Sequence, residues 1–91
     1  MESLDNTYNG WSNWETWNLL LWANNDEFTY KEMRRFANSV STLVQEQNQR
    51  RACIVFFNDI FPTGTPDMEA GDMNNVDWGE VLEAVLEEAE S

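Results

Sequence analysis

The 91-residue chain contains no histidine and only one cysteine, Cys53. Histidine is the commonest general base and a frequent metal ligand, so its absence excludes Ser-His and Cys-His nucleophile pairs. A single thiol excludes an internal disulfide bond. The apolar run around Cys53 predicts a buried small side chain in a reducing compartment. We therefore expect a protein that is not an enzyme and that needs no cofactor.

Glycine and proline are also scarce, with four and two residues respectively. The chain has no Gly-rich phosphate loop and no Gly-x-Ser-x-Gly motif, which removes common signatures of nucleotide binding and hydrolysis. Asp67, Glu69 and Asp72 lack the spacing of a calcium loop, so we expect no metal site. No apolar run approaches the ~18 residues of a membrane span, and no signal-peptide pattern opens the chain. We expect a cytoplasmic protein that does not enter a membrane.

Basic residues are few: five Lys and Arg residues stand against seventeen Asp and Glu, which gives a formal net charge of −12. All five bases lie within residues 31–51, between the acidic stretches 1–30 and 52–91. Negative charge repels nucleic acid and anionic membrane surfaces and favours basic partners. The predicted partner is therefore a protein with a basic patch, without direct binding to nucleic acid or membrane.

Tryptophan, by contrast, is concentrated, because four of the five tryptophans lie between Trp11 and Trp22. Ser12 followed by Glu15 is typical of a capping box and predicts a helix over 13–24. Apolar residues cover most of its circumference, with Trp14, Trp17, Leu20 and Leu21 on one face and Leu19, Trp22 and Ala23 on a second. Such a helix is usually covered on several sides, so we expect it to be the central helix of a bundle.

A second capping box, Thr29 and Glu32, predicts a helix over 30–48, with Phe28 and Met33 as its hydrophobic staple. Its apolar stripe continues for almost five turns through Met33, Phe36, Ala37, Val40, Leu43 and Val44. A break is expected near 48–51, because a continuous helix would place Arg51 on this stripe. Residues 50–61 are rich in strand formers, but their helical wheel favours a third helix over 51–61.

Pro62, Gly64 and Pro66 end the third helix, and residues 62–76 are expected to form an acidic surface loop. Asp77 and Glu80 then form a third capping box and predict a helix over 78–89, with Val76 and Val81 as its staple. The sequence thus predicts an all-α fold, a compact bundle of about four helices (13–24, 30–48, 51–61 and 78–89). Residues 1–10 are expected to be a flexible leader and residues 11–91 a single helical domain.

Two motifs carry a resemblance to a known family. Residues 9–17 (Asn-Gly-Trp-Ser-Asn-Trp-Glu-Thr-Trp) and 76–81 (Val-Asp-Trp-Gly-Glu-Val) resemble the opening and closing motifs of small uncharacterised proteins from phages, plasmids and haloarchaea. The resemblance implies a compact domain of mobile-element origin, with no known activity and no catalytic residues. Both motifs are helix starts that carry a tryptophan, which suggests that the two ends of the chain pack together.

The acidic face of the last helix is the candidate functional feature. Glu80, Glu83 and Glu87 are neighbours at i+3 and i+4, where like charges cost roughly 0.2–0.5 kcal/mol per pair. Glu88 and Glu90 lie at the helix C-terminus, where the dipole disfavours anions. Because helix stability does not favour this pattern, we expect Glu80, Glu83 and Glu87 to face solvent and to contribute nothing favourable to the fold.

Carboxylates about 5–6 Å apart in adjacent rows have a charge spacing comparable to the ~3.4 Å per phosphate of one DNA strand. The most concrete hypothesis is a phage-type inhibitor, a DNA mimic that sequesters a basic nucleic-acid-binding host protein in the host cytoplasm. Its predicted partner-binding residues are Asp67, Glu69, Asp72, Glu80, Glu83, Glu87, Glu88 and Glu90. One alternative is a homo-oligomeric assembly protein, a homodimer included, with an aromatic interface around Trp14 and Trp17. The other alternative is that the acidity serves only solubility or salt adaptation.

Overall fold

The computed structural model describes residues 10–69 and 71–90. It contains four α-helices and a short 3₁₀ helix: α1 (Trp14–Asn25), α2 (Glu27–Val40), α3 (Glu46–Ile60), the 3₁₀ helix (Asp72–Asn75) and α4 (Trp78–Glu90). Within these ranges there is no strand, and an isolated bridge joins Pro62 and Gly64. The predicted all-α bundle is confirmed, and residues 50–61 are helical. Residues 1–9, most of the predicted leader, lie outside the described residues.

The first helix begins one residue later than predicted, because its cap is Asn13 and not Ser12. The Asn13 side chain accepts a hydrogen bond from the Thr16 amide at 3.0 Å. Asparagine caps a helix as well as serine does, so the sequence alone offered two adjacent candidates. The predicted Ser12–Glu15 capping box is wrong, and Ser12 is thereby available for contacts with α4.

The second helix starts at Glu27, three residues before the predicted start, because Asp26 is its cap. The Asp26 carboxylate accepts hydrogen bonds from both the amide and the hydroxyl of Thr29. These bonds lower the pKa of Asp26. Phe28, predicted to staple against the buried Met33, is instead 68% exposed. Both the Thr29 capping box and its staple are therefore wrong.

The second helix also ends earlier than predicted, at Val40 and not at residue 48. The Ser41 and Thr42 hydroxyls donate to carbonyl oxygens three residues back. Such side-chain bonds compete with helix continuation. Leu43 and Val44, predicted to extend the buried stripe, therefore lie in the turn before α3, and Val44 is 96% exposed.

The third helix begins at Glu46, five residues before the predicted start. Its first turn is polar and exposed, so no apolar period reveals it, although Glu, Gln and Arg are good helix formers. The helix ends at Ile60, since Pro62 disfavours a helical conformation at Phe61. The break between the second and third helices therefore lies at 41–45.

The helices pack so that α2 and α4 each contact the three others. Helix α1 packs against α2, α4 and the 3₁₀ helix, whereas the backbones of α1 and α3 are not adjacent in the described part of the chain. Helix α1 carries five buried residues: Thr16, Asn18, Leu19, Leu20 and Ala23. Its indoles at Trp14, Trp17 and Trp22 are only half-buried, and smaller side chains occupy the fully buried positions of α1.

The buried core receives side chains from all four α-helices and from Val76, which precedes α4: Leu19, Leu20, Ala23, Met33, Ala37, Val40, Cys53, Phe57, Val76, Val81, Leu82 and Val85. The expected burial of Cys53 is confirmed, and burial raises the pKa of its thiol to about 12. The thiol is therefore neutral at physiological pH and unreactive as a nucleophile. Among the described residues, no helix combines the length and the hydropathy that a membrane span requires.

Burial predicts a large difference between two alanine substitutions. Leu19 is fully buried, so Leu19→Ala should lower the free energy of unfolding by about 2–5 kcal/mol. The exposed Val44 is the control, and Val44→Ala should change stability by less than about 0.5 kcal/mol. Urea denaturation followed by circular dichroism measures both values. A loss of equal size in the two variants would contradict the described core.

Candidate partner-binding surface

The predicted partner-binding carboxylates separate into residues that bond within the chain and residues on an open surface. Asp67 belongs to the first group. Its carboxylate accepts hydrogen bonds from the Asn18 amide nitrogen and the Trp22 indole nitrogen, each at 2.9 Å. Asn18 is itself buried and also accepts a hydrogen bond from the buried Thr65 hydroxyl. Asp67 therefore holds the loop after α3 against α1.

Glu69 and Asp72 follow in the same loop and interact locally. The Asp72 carboxylate accepts a hydrogen bond from the Glu69 amide at 2.9 Å. This bond closes the turn that leads into the 3₁₀ helix. The Glu69 side chain is exposed.

Glu80 lies at the start of α4, where it bonds to the residue before the α1 cap. Its Oε1 atom accepts hydrogen bonds from the Ser12 amide at 3.0 Å and the Ser12 hydroxyl at 2.9 Å. The same hydroxyl lies 3.3 Å from Oδ2 of Asp77. The expectation that Glu80 contributes nothing favourable to the fold is therefore wrong.

Asp77 confirms the predicted start of α4. Its Oδ1 atom accepts hydrogen bonds from the Gly79 and Glu80 amides at 3.1 and 3.2 Å. Its own amide donates to the hydroxyl of Thr16 at 2.8 Å. Thr16 is fully buried in α1, so this bond joins the first turns of two helices that are distant in sequence.

A further pair of contacts completes this junction between the helix starts. The Asn13 side-chain amide donates to the Asn75 carbonyl oxygen at 2.7 Å. Asn13 also caps α1 through its side-chain oxygen, so one side chain serves both segments. Residues of the opening motif thus bond to residues at and just before the closing motif, and the expectation that the two ends pack together is confirmed.

The other predicted residues lie farther along α4. Glu83 and Glu87 are exposed, whereas Glu88 is half-buried and accepts a hydrogen bond from the Tyr30 hydroxyl at 3.2 Å. The Glu90 side chain lies outside the described part of the structure. The eight predicted carboxylates therefore do not form one continuous surface. Glu80 and Glu83 are the two that line a common groove.

This groove lies between α3 and α4 and has a volume of about 420 Å³. We call it the acidic groove. It is lined by Glu46, Gln49, Arg50, Asp77, Gly79, Glu80, Leu82, Glu83 and Leu86. Among these side chains, four are carboxylates and one is a cation. The cation, Arg50, pairs with Glu46 at 2.7 Å, which leaves an excess of negative charge along the α4 side.

Sequence reasoning missed the α3 side of the groove. Glu46 was assigned to the end of the second helix and not to the start of the third, and Arg50 was read only as part of a basic segment. The signal available in the sequence was the i, i+4 spacing of Glu46 and Arg50, which is typical of a helical ion pair. No group of three or more potential metal ligands is clustered within residues 10–69 and 71–90.

Comparison with known families identifies the relationship that the two motifs suggested. A family model matches residues 4–91, which is almost the whole chain. The chain belongs to DUF7249, a family of unknown function. No curated protein and no solved structure matches this DUF7249 chain. Family membership is therefore consistent with the resemblance to small uncharacterised proteins and assigns no activity.

The helix-start junction predicts a specific effect of removing one buried acceptor. Thr16→Val keeps the shape of the side chain but leaves the Asp77 amide without its acceptor, so we expect a loss of about 1–3 kcal/mol. The exposed Thr63 is the matched control, and Thr63→Val should change stability by less than about 0.5 kcal/mol. Urea denaturation measures both. Equal stability of Thr16→Val and wild type would show that the junction bond is dispensable.

Asp67 predicts part of the pH dependence of stability. Hydrogen bonds from Asn18 and then Trp22 hold the pKa of the Asp67 carboxyl below its usual range. The folded-state pKa lies below the unfolded value of about 3.9. The stabilisation that ionised Asp67 gives the folded state is therefore complete above the unfolded pKa and is lost as pH falls through the folded pKa. Acidification from neutral pH to pH 3 should therefore lower the melting temperature more in wild type than in Asp67→Asn.

Glu69→Gln is the control for this measurement, since it removes an exposed carboxylate from the same loop. Its melting temperature should fall with pH as the wild-type value does. The same fall in Asp67→Asn as in wild type would exclude a contribution from the bonds to Asn18 and Trp22.

Proposed function

We propose that the protein acts by binding a basic protein partner in the acidic groove and performs no chemistry. The observation that carries the proposal is the composition of the groove, in which carboxylates outnumber cations by four to one. Its one cation, Arg50, pairs with Glu46 within α3. An incoming cation can therefore compensate the carboxylates of α4.

The groove also suits the shape of a basic side chain. Lys and Arg combine an apolar stem with a charged head, and each part prefers a different environment. The half-buried Leu86 supplies apolar surface in the groove, and the exposed Glu83 supplies a carboxylate beside it. An Arg from a partner can form paired hydrogen bonds with a carboxylate, which gives geometric selectivity as well as attraction.

Basic side chains in series are typical of proteins that bind nucleic acid. The proposed partner is therefore a nucleic-acid-binding protein, whose basic surface would be occupied by this protein in place of the phosphates. We further propose that the protein is encoded by a phage or another mobile element and acts as an inhibitor in the host cytoplasm. The resemblance of the two sequence motifs supports this origin.

A groove variant tests the binding step. Glu46→Gln with Glu83→Gln removes two carboxylates that line the groove and leaves the Ser12–Glu80 contact intact. Binding of a nona-arginine peptide at low salt should weaken by about tenfold, equivalent to about 1.4 kcal/mol. The difference from wild type should shrink at high salt, because screening weakens exposed charge pairs. Calorimetric titration at two salt concentrations measures both effects.

The control is Glu27→Gln with Glu69→Gln, which changes the net charge by the same amount outside the groove. Glu27 pairs with Lys31 at i+4, just as Glu46 pairs with Arg50, so the two variants lose equivalent helical ion pairs. The control should bind the peptide within about threefold of wild type, since distant exposed charges are largely screened. Equal weakening of the two variants would mean that total charge, and not the groove, attracts the peptide.

Competition tests the decoy step. Immobilised wild-type protein and the groove variant are each used to capture proteins from a host extract. Proteins captured by wild type alone are then mixed with labelled duplex DNA. Addition of the wild-type protein should release the DNA, because both ligands would occupy the same basic surface. DNA that stays bound would contradict the proposed mimicry, even if the groove binds basic peptides.

A further inference from the structure

A second surface lies on α3, on the side away from the core. Cys53 and Phe57 face inward and are fully buried. Arg51, Val55 and Asp59 follow one another at intervals of four residues on the opposite side, and all three are exposed. We call these three residues the outer α3 row.

The charged side chains of this row form no ion pair within the described part of the chain. Lys31, Arg35 and Arg50 each pair with a glutamate three or four residues earlier in the same helix. Arg51 has no acidic residue at either spacing, since Gln47, Asn48, Ile54 and Val55 occupy those positions. The described residues place no ion pair on Arg51 or on Asp59.

Apolar surface surrounds the middle of the row. Val55 is 64% exposed. Beside it, the rings of Phe36 and Phe56 stack with centroids 4.4 Å apart and an interplanar angle of 5°. These side chains line a shallow, mostly apolar depression of about 520 Å³ together with Asn48, Arg51 and Ala52. An exposed apolar centre flanked by charged residues is typical of an interaction surface.

The order of the charged and apolar residues along the row determines which kind of partner can bind it. Four residues of α-helix rise about 6 Å, so Arg51 and Asp59 lie at equal distances on either side of Val55. A two-fold axis through Val55 would set a second α3 antiparallel to the first. That symmetry brings Arg51 of each copy opposite Asp59 of the other, with the two Val55 side chains at the centre.

We propose that a second copy of this chain occupies the outer α3 row and forms an antiparallel, two-fold symmetric dimer. The charge complementarity of the row with itself favours a second copy over a different partner, because a partner of one charge sign would match only one end. Phe36 and Phe56 extend the apolar contact to one side of each helix pair. The surface is distinct from the acidic groove and from the half-buried indoles of Trp14 and Trp17.

The helix face is about 22 Å long, so the interface is small and the dimer should form only at high protein concentration. Sedimentation equilibrium over about 1 µM to 1 mM should show a rise in average mass from the 10.6 kDa of one chain toward twice that value. A mass of one chain throughout this range would refute the proposal.

A charge exchange tests the register of the dimer. Arg51→Glu alone places like charges opposite each other at two points of the interface, and Asp59→Arg alone does the same with the opposite sign. Each single variant should raise the dissociation constant by at least about tenfold, and the double variant should restore it to within about threefold of wild type. Both positions of the exchange are exposed in the monomer, and circular dichroism checks that each variant is folded.

Two further variants complete the experiment. Arg34→Glu is the matched control for charge, because Arg34 is exposed on α2 about 200° around the helix from Phe36. It should leave the dissociation constant unchanged. Val55→Asp places two carboxylates at the two-fold axis and should abolish the dimer. Failure of the double exchange to restore association, or an equal effect of Arg34→Glu, would overturn the proposed symmetry.

Discussion

The hydrogen bond from the Asp77 amide to the Thr16 hydroxyl is the contact on which the arrangement of α1 and α4 depends. Thr16 is fully buried, and a buried polar group is costly unless it is paired. The same region contains the N-terminal amides of both helices, which no earlier turn can satisfy. Asn13 and Asp77 provide the capping oxygens, and Ser12 and Asn13 then donate across to the other segment. Two helix starts therefore satisfy each other's hydrogen-bonding needs in one place.

At this junction, some of the protein's carboxylates have a structural role. A carboxylate near a helix N-terminus is stabilised by the dipole and by free amides, so Asp77 and Glu80 are structural as well as charged. Asp67 has a comparable role beside α1, where it accepts bonds from Asn18 and Trp22. The number of acidic residues is therefore a poor measure of the surface that a basic partner can reach. The acidic groove is smaller than the whole set of carboxylates and is defined by the packing of α3 against α4.

The two proposed surfaces use different sides of α3. The side that carries Glu46 and Arg50 borders the acidic groove, whereas the outer α3 row faces away from the core. A dimer through the outer row would leave the groove of each copy open. Binding of a basic partner and self-association are therefore compatible, and a two-fold dimer would present two grooves to a partner with repeated basic sites.

The sequence by itself determined the helical class, the number of helices and most of the buried side chains, because these depend on local apolar period and on strong stop signals such as Pro62. It also predicted that the two tryptophan-bearing helix starts pack together. Helix bounds were less predictable where neighbouring residues compete for the same cap, as Ser12 and Asn13 or Asp26 and Thr29 do. Only the tertiary structure decided that competition, since a side chain used as a cap is unavailable for a distant contact. It alone also decided which carboxylates stay exposed, because hydrogen bonds between residues more than forty positions apart leave no local pattern in the sequence.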